Sequence, residues 1–211
     1  MQTGLPIRLL DSSDEDSIRK LTNFLDICYK DRANKGVNYL PSGQDEETTR
    51  RRIKGKEVWV FEIGHQIVGA FTLTPPGNTG GSWWYRQSGV AEVSQVAVHP
   101  TFRMLGLFSA LMDAAEHRAQ EMGSCELAGS VPTKRKRLIN TYVRRGARIV
   151  DYKWKKNASY GSVIWSKSLH KNHVESYLCR RISRKLKYFR RFIKYKLLRS
   201  SDIRPCHPNT Y

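Results

Sequence analysis

Val90-Ala91-Glu92-Val93-Ser94-Gln95-Val96-Ala97-Val98-His99-Pro100-Thr101-Phe102-Arg103-Met104-Leu105-Gly106-Leu107-Phe108-Ser109 changes character twice along its length. Its first part is rich in β-branched and small apolar residues, which predicts a buried strand over 90–98. His99-Pro100 stops that strand. Beyond it, Leu107, Leu111, Ala114, Ala115 and Ala119 fall on one helical face, so a helix is predicted over 105–122. Gly123 stands where a C-cap belongs. The unit is therefore a strand, a tight turn and a helix that opens at a glycine. The unbonded N–H groups of such a turn point one way and, with the helix dipole, make an anion site suited to a pyrophosphate. Gly106 lets the backbone approach the phosphates closely. An ordinary strand–helix junction has the same outline, so the turn alone does not decide the function.

Working outward, 7–10 reads as a first strand. Ser12, Ser13 and Asp14 are N-cap types, and Ile18, Leu21, Leu25 and Cys28 recur at helical spacing over 14–31. Residues 33–44 read as a loop and 44–54 as a short exposed helix. Strands are predicted at 58–63 and 66–73 around the turn Gly64-His65. A loop with Pro75, Pro76, Gly77, Gly80 and Gly81 leads to Trp83, Trp84 and Tyr85. Then follow a strand at 126–131, a helix at 134–145 ending at Gly146, and strands at 147–153 and 162–168. This order, without internal repeats, predicts an α/β fold with a mixed sheet covered by helices on both faces.

The chain has 211 residues and a formal charge of +18. That length suits one domain, 1–169, plus an appendage, 170–211. The appendage holds 12 Lys/Arg and two Asp/Glu. Within it, Leu178, Ile182, Leu186, Phe189, Ile193 and Leu197 form a helical stripe with the basic residues largely off it. A basic amphipathic helix of this kind suits an anionic membrane, nucleic acid or an acidic carrier protein; packing onto the domain with solvated charges is the plain alternative. The four cysteines are far apart, which argues against a zinc site or disulfide scaffold and points to a reducing cytoplasm. No secretory signal and no apolar run long enough to span a membrane is expected.

With Arg103, Gly106 and position 108 following Val98-His99-Pro100, the sequence resembles the GNAT acetyltransferase superfamily, whose signature is R/Q-x-x-G-x-G/A. Tyr142-Val143-Arg144-Arg145-Gly146 resembles the family's Y-x-x-x-G. Trp84-Tyr85, Gln95 to Val98 and Ser166 to Leu169 resemble a widespread bacterial subgroup of unassigned substrate. The resemblance covers roughly 5–168 and ends before the basic tail. Phe108 departs from it, standing where the family usually has Gly or Ala. Only the backbone at that position faces the phosphates in the family, so a side chain turned into the core would be tolerated.

The resemblance implies a mostly antiparallel mixed sheet with a central parallel pair, 90–98 and 126–131, that splays apart. It implies acetyl-CoA as co-substrate and no metal. The backbone of Val96, Ala97 and Val98 would pair with the pantetheine arm. Arg103 and the amides of Met104, Leu105, Gly106, Leu107, Phe108 and Ser109 would hold the pyrophosphate, with the thioester in the gap between the strands.

Acyl transfer then needs a base for the amine, a donor for the oxyanion and an acid for the thiolate. Glu92 is the candidate base, four residues before Val96 as in the histone-acetyltransferase branch, and strand alternation puts 92, 94, 96 and 98 on one face. A structural carboxylate is the alternative. Tyr142 is the candidate acid by resemblance, against a core aromatic beside Leu138 and Ile139. The Val98 N–H is the candidate oxyanion donor. Ser130 and Arg135 do not keep the residue types that some relatives use at their positions, so no role passes to them. Lys134, Arg135, Lys136 and Arg137 form a basic cluster suited to the CoA 3′-phosphate or simply to solvent. His65, His99 and His117 lack metal-ligand spacing.

The function expected is transfer of acetyl from acetyl-CoA to a primary amine by direct attack, the acceptor being unspecified. One alternative is a longer acyl group from acyl-CoA or an acyl carrier protein, with Trp83, Trp84, Tyr85 and Phe108 lining an acyl pocket. Another is a degenerate domain serving the tail as a nucleic-acid or membrane module. The expected location is cytoplasmic, with the tail at an anionic membrane surface.

Overall fold

Seven strands pair into one sheet in the computed structural model, which describes residues 7–33, 43–77, 81–154 and 160–169. In chain order the elements are β1 (Ile7–Leu9), α1 (Glu15–Ala33), α2 (Glu46–Ile53), β2 (Glu57–Ile63), β3 (Gln66–Thr74), β4 (Val90–Val98), α3 (Leu107–Glu121), β5 (Glu126–Pro132), α4 (Lys136–Arg144), β6 (Arg148–Trp154) and β7 (Gly161–Ser168). The spatial order is β1-β2-β3-β4-β5-β7-β6, and every neighbouring pair is antiparallel except β4–β5. The expected mixed, mostly antiparallel sheet is present. The predicted basic helix of 170–211 lies outside the described residues.

Two apolar layers cover the sheet. On one face, Ile18, Leu21, Phe24, Leu25 and Cys28 of α1 pack with Val58, Val60, Ile67, Ala70 and Ala97. The start of α1 is fixed by Asp14, whose carboxylate accepts the Ser17 amide at 3.0 Å. On the other face, Leu107, Leu111, Met112, Ala115 and Ala119 of α3 pack with Val68, Phe71, Leu73, Ala91, Val93 and Val98. Gly69 allows this helix to sit close, since a Cβ there would lie 3.1 Å from Leu111 Cδ1. Arg118 of α3 grips Glu57 of β2 through two hydrogen bonds of 2.8 and 2.9 Å.

α2 departs from the expected exposed helix. Thr49 and Ile53 are buried. The Thr49 hydroxyl receives hydrogen bonds from Thr22 Oγ1 at 2.8 Å and Gln44 Nε2 at 2.9 Å. A buried hydroxyl needs such partners, and this small network ties α2 to α1. Its charged residues hid the buried side in the sequence.

A second departure lies in β4. Ser94 pairs with Thr72 and Ala97 with Ala70, so three steps on β4 match two on β3. Gln95, with φ +51°, takes up the extra residue as a β-bulge. The bulge reverses the phase of the strand. Ala91, Val93 and Val98 share the α3 face, whereas Ala97 belongs to the α1 face. Glu92 and Ser94 therefore do not share a face with Val96 and Val98, contrary to simple alternation.

Candidate active site

The parallel pair is short. Val90, Ala91 and Glu92 lie opposite Glu126, Leu127 and Ala128, and no pairing continues beyond them. β4 goes on beside β3 as far as Val98, and β5 goes on beside β7 as far as Pro132. The two strands thus diverge while each stays anchored on its outer side. Gly129 sits at the fork. A Cβ there would lie 2.7 Å from the Trp165 ring and 2.9 Å from the Val93 carbonyl oxygen, so only glycine lets the strands close just below the split.

The split holds a cavity of about 290 Å³. Its lining comes from both faces of the sheet. Val93, Val96, Val131, Leu138, Tyr142 and Trp165 belong to the side of α3 and α4. Tyr29, Arg52, Lys56, Glu92, Ser94 and Ser130 belong to the side of α1 and α2 or to the rim. The cavity therefore passes through the sheet, with Glu92 towards one mouth and Tyr142 towards the other.

Tyr142 is buried and held between two rings. Trp165 stacks on it at 4.2 Å between centroids, and Phe108 meets it edge-on at 5.6 Å. The Phe108 side chain is thus turned inward, away from the turn where its backbone lies. Glu92 is partly buried, opposite Thr74 on one side and Ala128 on the other. The Tyr85 hydroxyl lies near Ser130 and Glu92; burial first, and then the Glu92 charge, hold its pKa well above the ordinary phenol value. Tyr85 stays protonated beside this carboxylate. Sequence reasoning placed Tyr85 in an aromatic run without this contact, because nothing in Trp83-Trp84-Tyr85 signals Glu92.

None of Trp83, Trp84, Tyr85 and Phe108 lines the cavity. Trp84 and Tyr85 instead fill a third apolar cluster with Val90, Ala128, Val150 and Ile164. Lys134, Arg135, Lys136 and Arg137 open α4 but do not line the cavity either, and Lys134, Lys136 and Arg137 are exposed. Among the described residues no His, Cys, Asp and Glu side chains gather as a metal-binding group.

The turn after β4 has the geometry that an anion needs. The amides of Phe102 and Arg103 bond back to His99 and Pro100, and the next amide to bond back is that of Ser109, to Gly106. Among the described residues, the amides of Met104, Leu105, Gly106, Leu107 and Phe108 have no backbone carbonyl partner. Gly106 takes φ +79° as the N-cap of α3, and a Cβ there would meet nothing within 4 Å. Met104 also has positive φ, at +66°. The first turn of α3 contains no acidic residue. This open cradle of amides fits a pyrophosphate.

The edge of β4 that faces the split is also open. The His99 amide donates to Val68 of β3. By alternation, the N–H and C=O of Val98 and Val96 face the opposite edge, whereas those of Ala97 face β3. The Arg103 Nε donates to the Val98 carbonyl at 3.3 Å, which ties this arginine to that edge.

A strand pair forked over a cavity thus lies beside an amide cradle at a helix start, an arrangement that fits a ligand with an anionic phosphate portion. The chain belongs to the acetyltransferase (GNAT) family, whose sequence profile matches residues 20–147, more than half of it. No curated protein matches the chain in sequence. Its fold is similar to that of the Salmonella typhimurium protein yncA, solved with its cofactor acetyl-CoA, at 16% identity and a TM-score of 0.58, covering 82% of this chain and 98% of that one. It is similar to the ribosomal-protein-alanine N-acetyltransferase of Brucella melitensis at 18% identity and 0.59, covering 78% and 99%. It is also similar to an aminoglycoside 6′-N-acetyltransferase complexed with coenzyme A, at 11% identity and 0.57, covering 78% and 97%. At these identities the likeness is one of fold.

Proposed function

We propose that this protein transfers an acetyl group from acetyl-CoA to a primary amine by direct attack, without a covalent enzyme intermediate. The observation that carries the reading is the through-sheet cavity at the β4–β5 fork, with Glu92 towards one mouth and Tyr142 towards the other. Family membership and the acetyl-CoA and coenzyme A named for two fold neighbours support the choice of donor.

In this reading the amides of Met104 to Phe108, with Arg103 beside them, hold the donor's pyrophosphate. The open edge at Val96 and Val98 receives its pantetheine arm as an added strand. The Val98 N–H donates to the oxyanion of the tetrahedral intermediate. Glu92 takes the proton of the attacking amine. Tyr142 gives its proton to the departing thiolate. The two side chains thus work from opposite faces, a division produced by the bulge at Gln95. The cavity volume of about 290 Å³, which the donor's acyl end must share with the acceptor, favours a short acyl group.

Calorimetric titration with CoA and thiol release from acetyl-CoA in the presence of an amine panel test the reading. CoA binding with amine-dependent thiol release is the expected result. Absence of CoA binding would refute it.

A further inference from the structure

The α2-side mouth of the cavity carries two cations that acyl transfer itself does not use. Arg52, in the last turn of α2, and Lys56, just before β2, line it together with Tyr29 and Tyr160. Among the described lining residues Glu92 is the one carboxylate.

Arg52 is positioned by neutral groups. Its guanidinium donates to Gln44 Oε1 at 2.6 Å, and the Gln44 amide donates in turn to the buried Thr49 hydroxyl at 2.9 Å. The nearby Arg50 takes the acids of this region, pairing with Glu15 and Glu46. Among the described residues neither Arg52 nor Lys56 is ion-paired. Burial pulls the pKa of Arg52 below the ordinary arginine value, which nearby Tyr29 and Tyr160 offset in part. A guanidinium taken partly out of water and held by a glutamine chain is prepared for an anion. A merely solvated arginine would not need that chain, and would not face into a cavity opposite a carboxylate.

We infer that the acyl acceptor is a small amine carrying its own anionic group, a carboxylate or a phosphate, which Arg52 and Lys56 bind while the amine meets Glu92. This inference rests on the acyl-transfer reading above. The arrangement sorts a zwitterion end to end, cations to its anion and Glu92 to its ammonium. Once the ammonium gives one proton to Glu92, its neutral nitrogen forms the C–N bond. As the tetrahedral intermediate collapses the C–S bond breaks, the thiolate takes the Tyr142 proton, the second proton lost by the nitrogen restores Tyr142, and Glu92 releases its proton to solvent. The products are the N-acetyl acid and free CoA. The cavity volume of about 290 Å³ limits the acceptor to a small molecule, because the acyl and thiol end of the donor shares it.

The test uses the full chain, acetyl-CoA and matched acceptors: amino acids, their carboxamides, their decarboxylated amines, and aminoalkyl phosphates. The expected result is a kcat/KM roughly 10- to 100-fold higher for the anionic member of a set. The carboxylate and phosphate arms tell which anion is used. Arg52→Gln should raise the acceptor KM by a similar factor and leave CoA affinity unchanged, while Arg52→Lys restores part of the loss. Lys56→Gln is the second variant should Arg52→Gln not fold. Equal or better turnover of the neutral amines overturns the inference, as does the absence of turnover with every anionic acceptor while CoA still binds. Failure to bind CoA at all instead removes the acyl-transfer reading beneath it.

Discussion

At the scale of single residues, Glu92 and Tyr142 divide the proposed chemistry. Replacing Glu92 by Gln keeps its size and removes its charge. Turnover should fall on the order of 10²-fold with little change in CoA affinity; unchanged turnover across the pH range would remove Glu92 from the role of base. Tyr142→Phe should keep the stack on Trp165 and the contact with Phe108, since only the hydroxyl is lost. A fall in kcat of roughly tenfold or more, at unchanged melting temperature, is expected when the thiolate must leave without a proton donor; an equal kcat would make Tyr142 a packing residue. Glu92 was legible as a candidate because an acid amid Val90, Ala91, Val93 and Val96 is out of place in a buried strand. Its direction was not legible. Gln95 takes φ +51° although nothing in a glutamine announces the left-handed region, so plain alternation carried Glu92 to the wrong face. Arg52 and Lys56 were hidden for another reason. They stand in a run of charges that reads as solvated, and only the fold of α2 against α1 turns them inward.

At the scale of elements, two glycines set the site. Gly106 caps α3 in the left-handed region with open space where its Cβ would be. Gly106→Glu should abolish CoA binding in calorimetry, because a carboxylate would stand in the amide cradle and repel the phosphates; retained affinity would contradict the cradle. Gly129→Ala meets the Trp165 ring and the Val93 carbonyl at once, at 2.7 and 2.9 Å, and one of these contacts is with backbone. It should cost about 1–3 kcal/mol of stability in urea unfolding, and an unchanged midpoint would show that the fork tolerates widening. Helix and strand positions were legible from their periodicity. The fork was not, since no local pattern in 90–98 or 126–132 tells where two strands cease to pair. The joint between α3 and β2 makes a pH-dependent prediction. Arg118 holds the Glu57 carboxylate below its ordinary 4.5, burial opposing this in part and Trp59 Nε1 assisting. A carboxylate with a depressed folded pKa stabilises the fold at pH values above its unfolded pKa, and this is lost as pH falls through the folded value. The wild type should therefore exceed Glu57→Gln in stability at neutral pH and converge with it in acid. A constant difference down to acid pH would detach the ion pair from stability.

At the scale of the whole molecule, charge separates two parts. Residues 170–211 hold 12 Lys/Arg against two Asp/Glu, a greater density than the domain carries. Leu169, the last described residue, is tied into the fold. The Leu169 amide donates to the Cys125 carbonyl at 2.9 Å, and Gln120 Nε2 donates to the Leu169 carbonyl at 2.7 Å. Leu169 is buried against the α3 side of the sheet. A chain cut after Leu169 thus keeps the strand pairings and the cavity-lining residues found among the described residues. Thiol release should survive that truncation with kcat and CoA affinity near those of the full chain. We propose that the tail binds anionic vesicles; truncation should abolish that binding, because residues 1–169 carry 25 Lys/Arg against 17 Asp/Glu, a lower density of net charge than the tail. In the full chain that association should weaken steeply with added salt, as exposed charges are screened beyond about 8 Å at physiological ionic strength. Cosedimentation with anionic vesicles, read beside the thiol-release assay on the same preparations, separates the two parts. Loss of catalysis on truncation would make the tail part of the site, and vesicle binding retained by the truncated chain would move the membrane contact onto the domain.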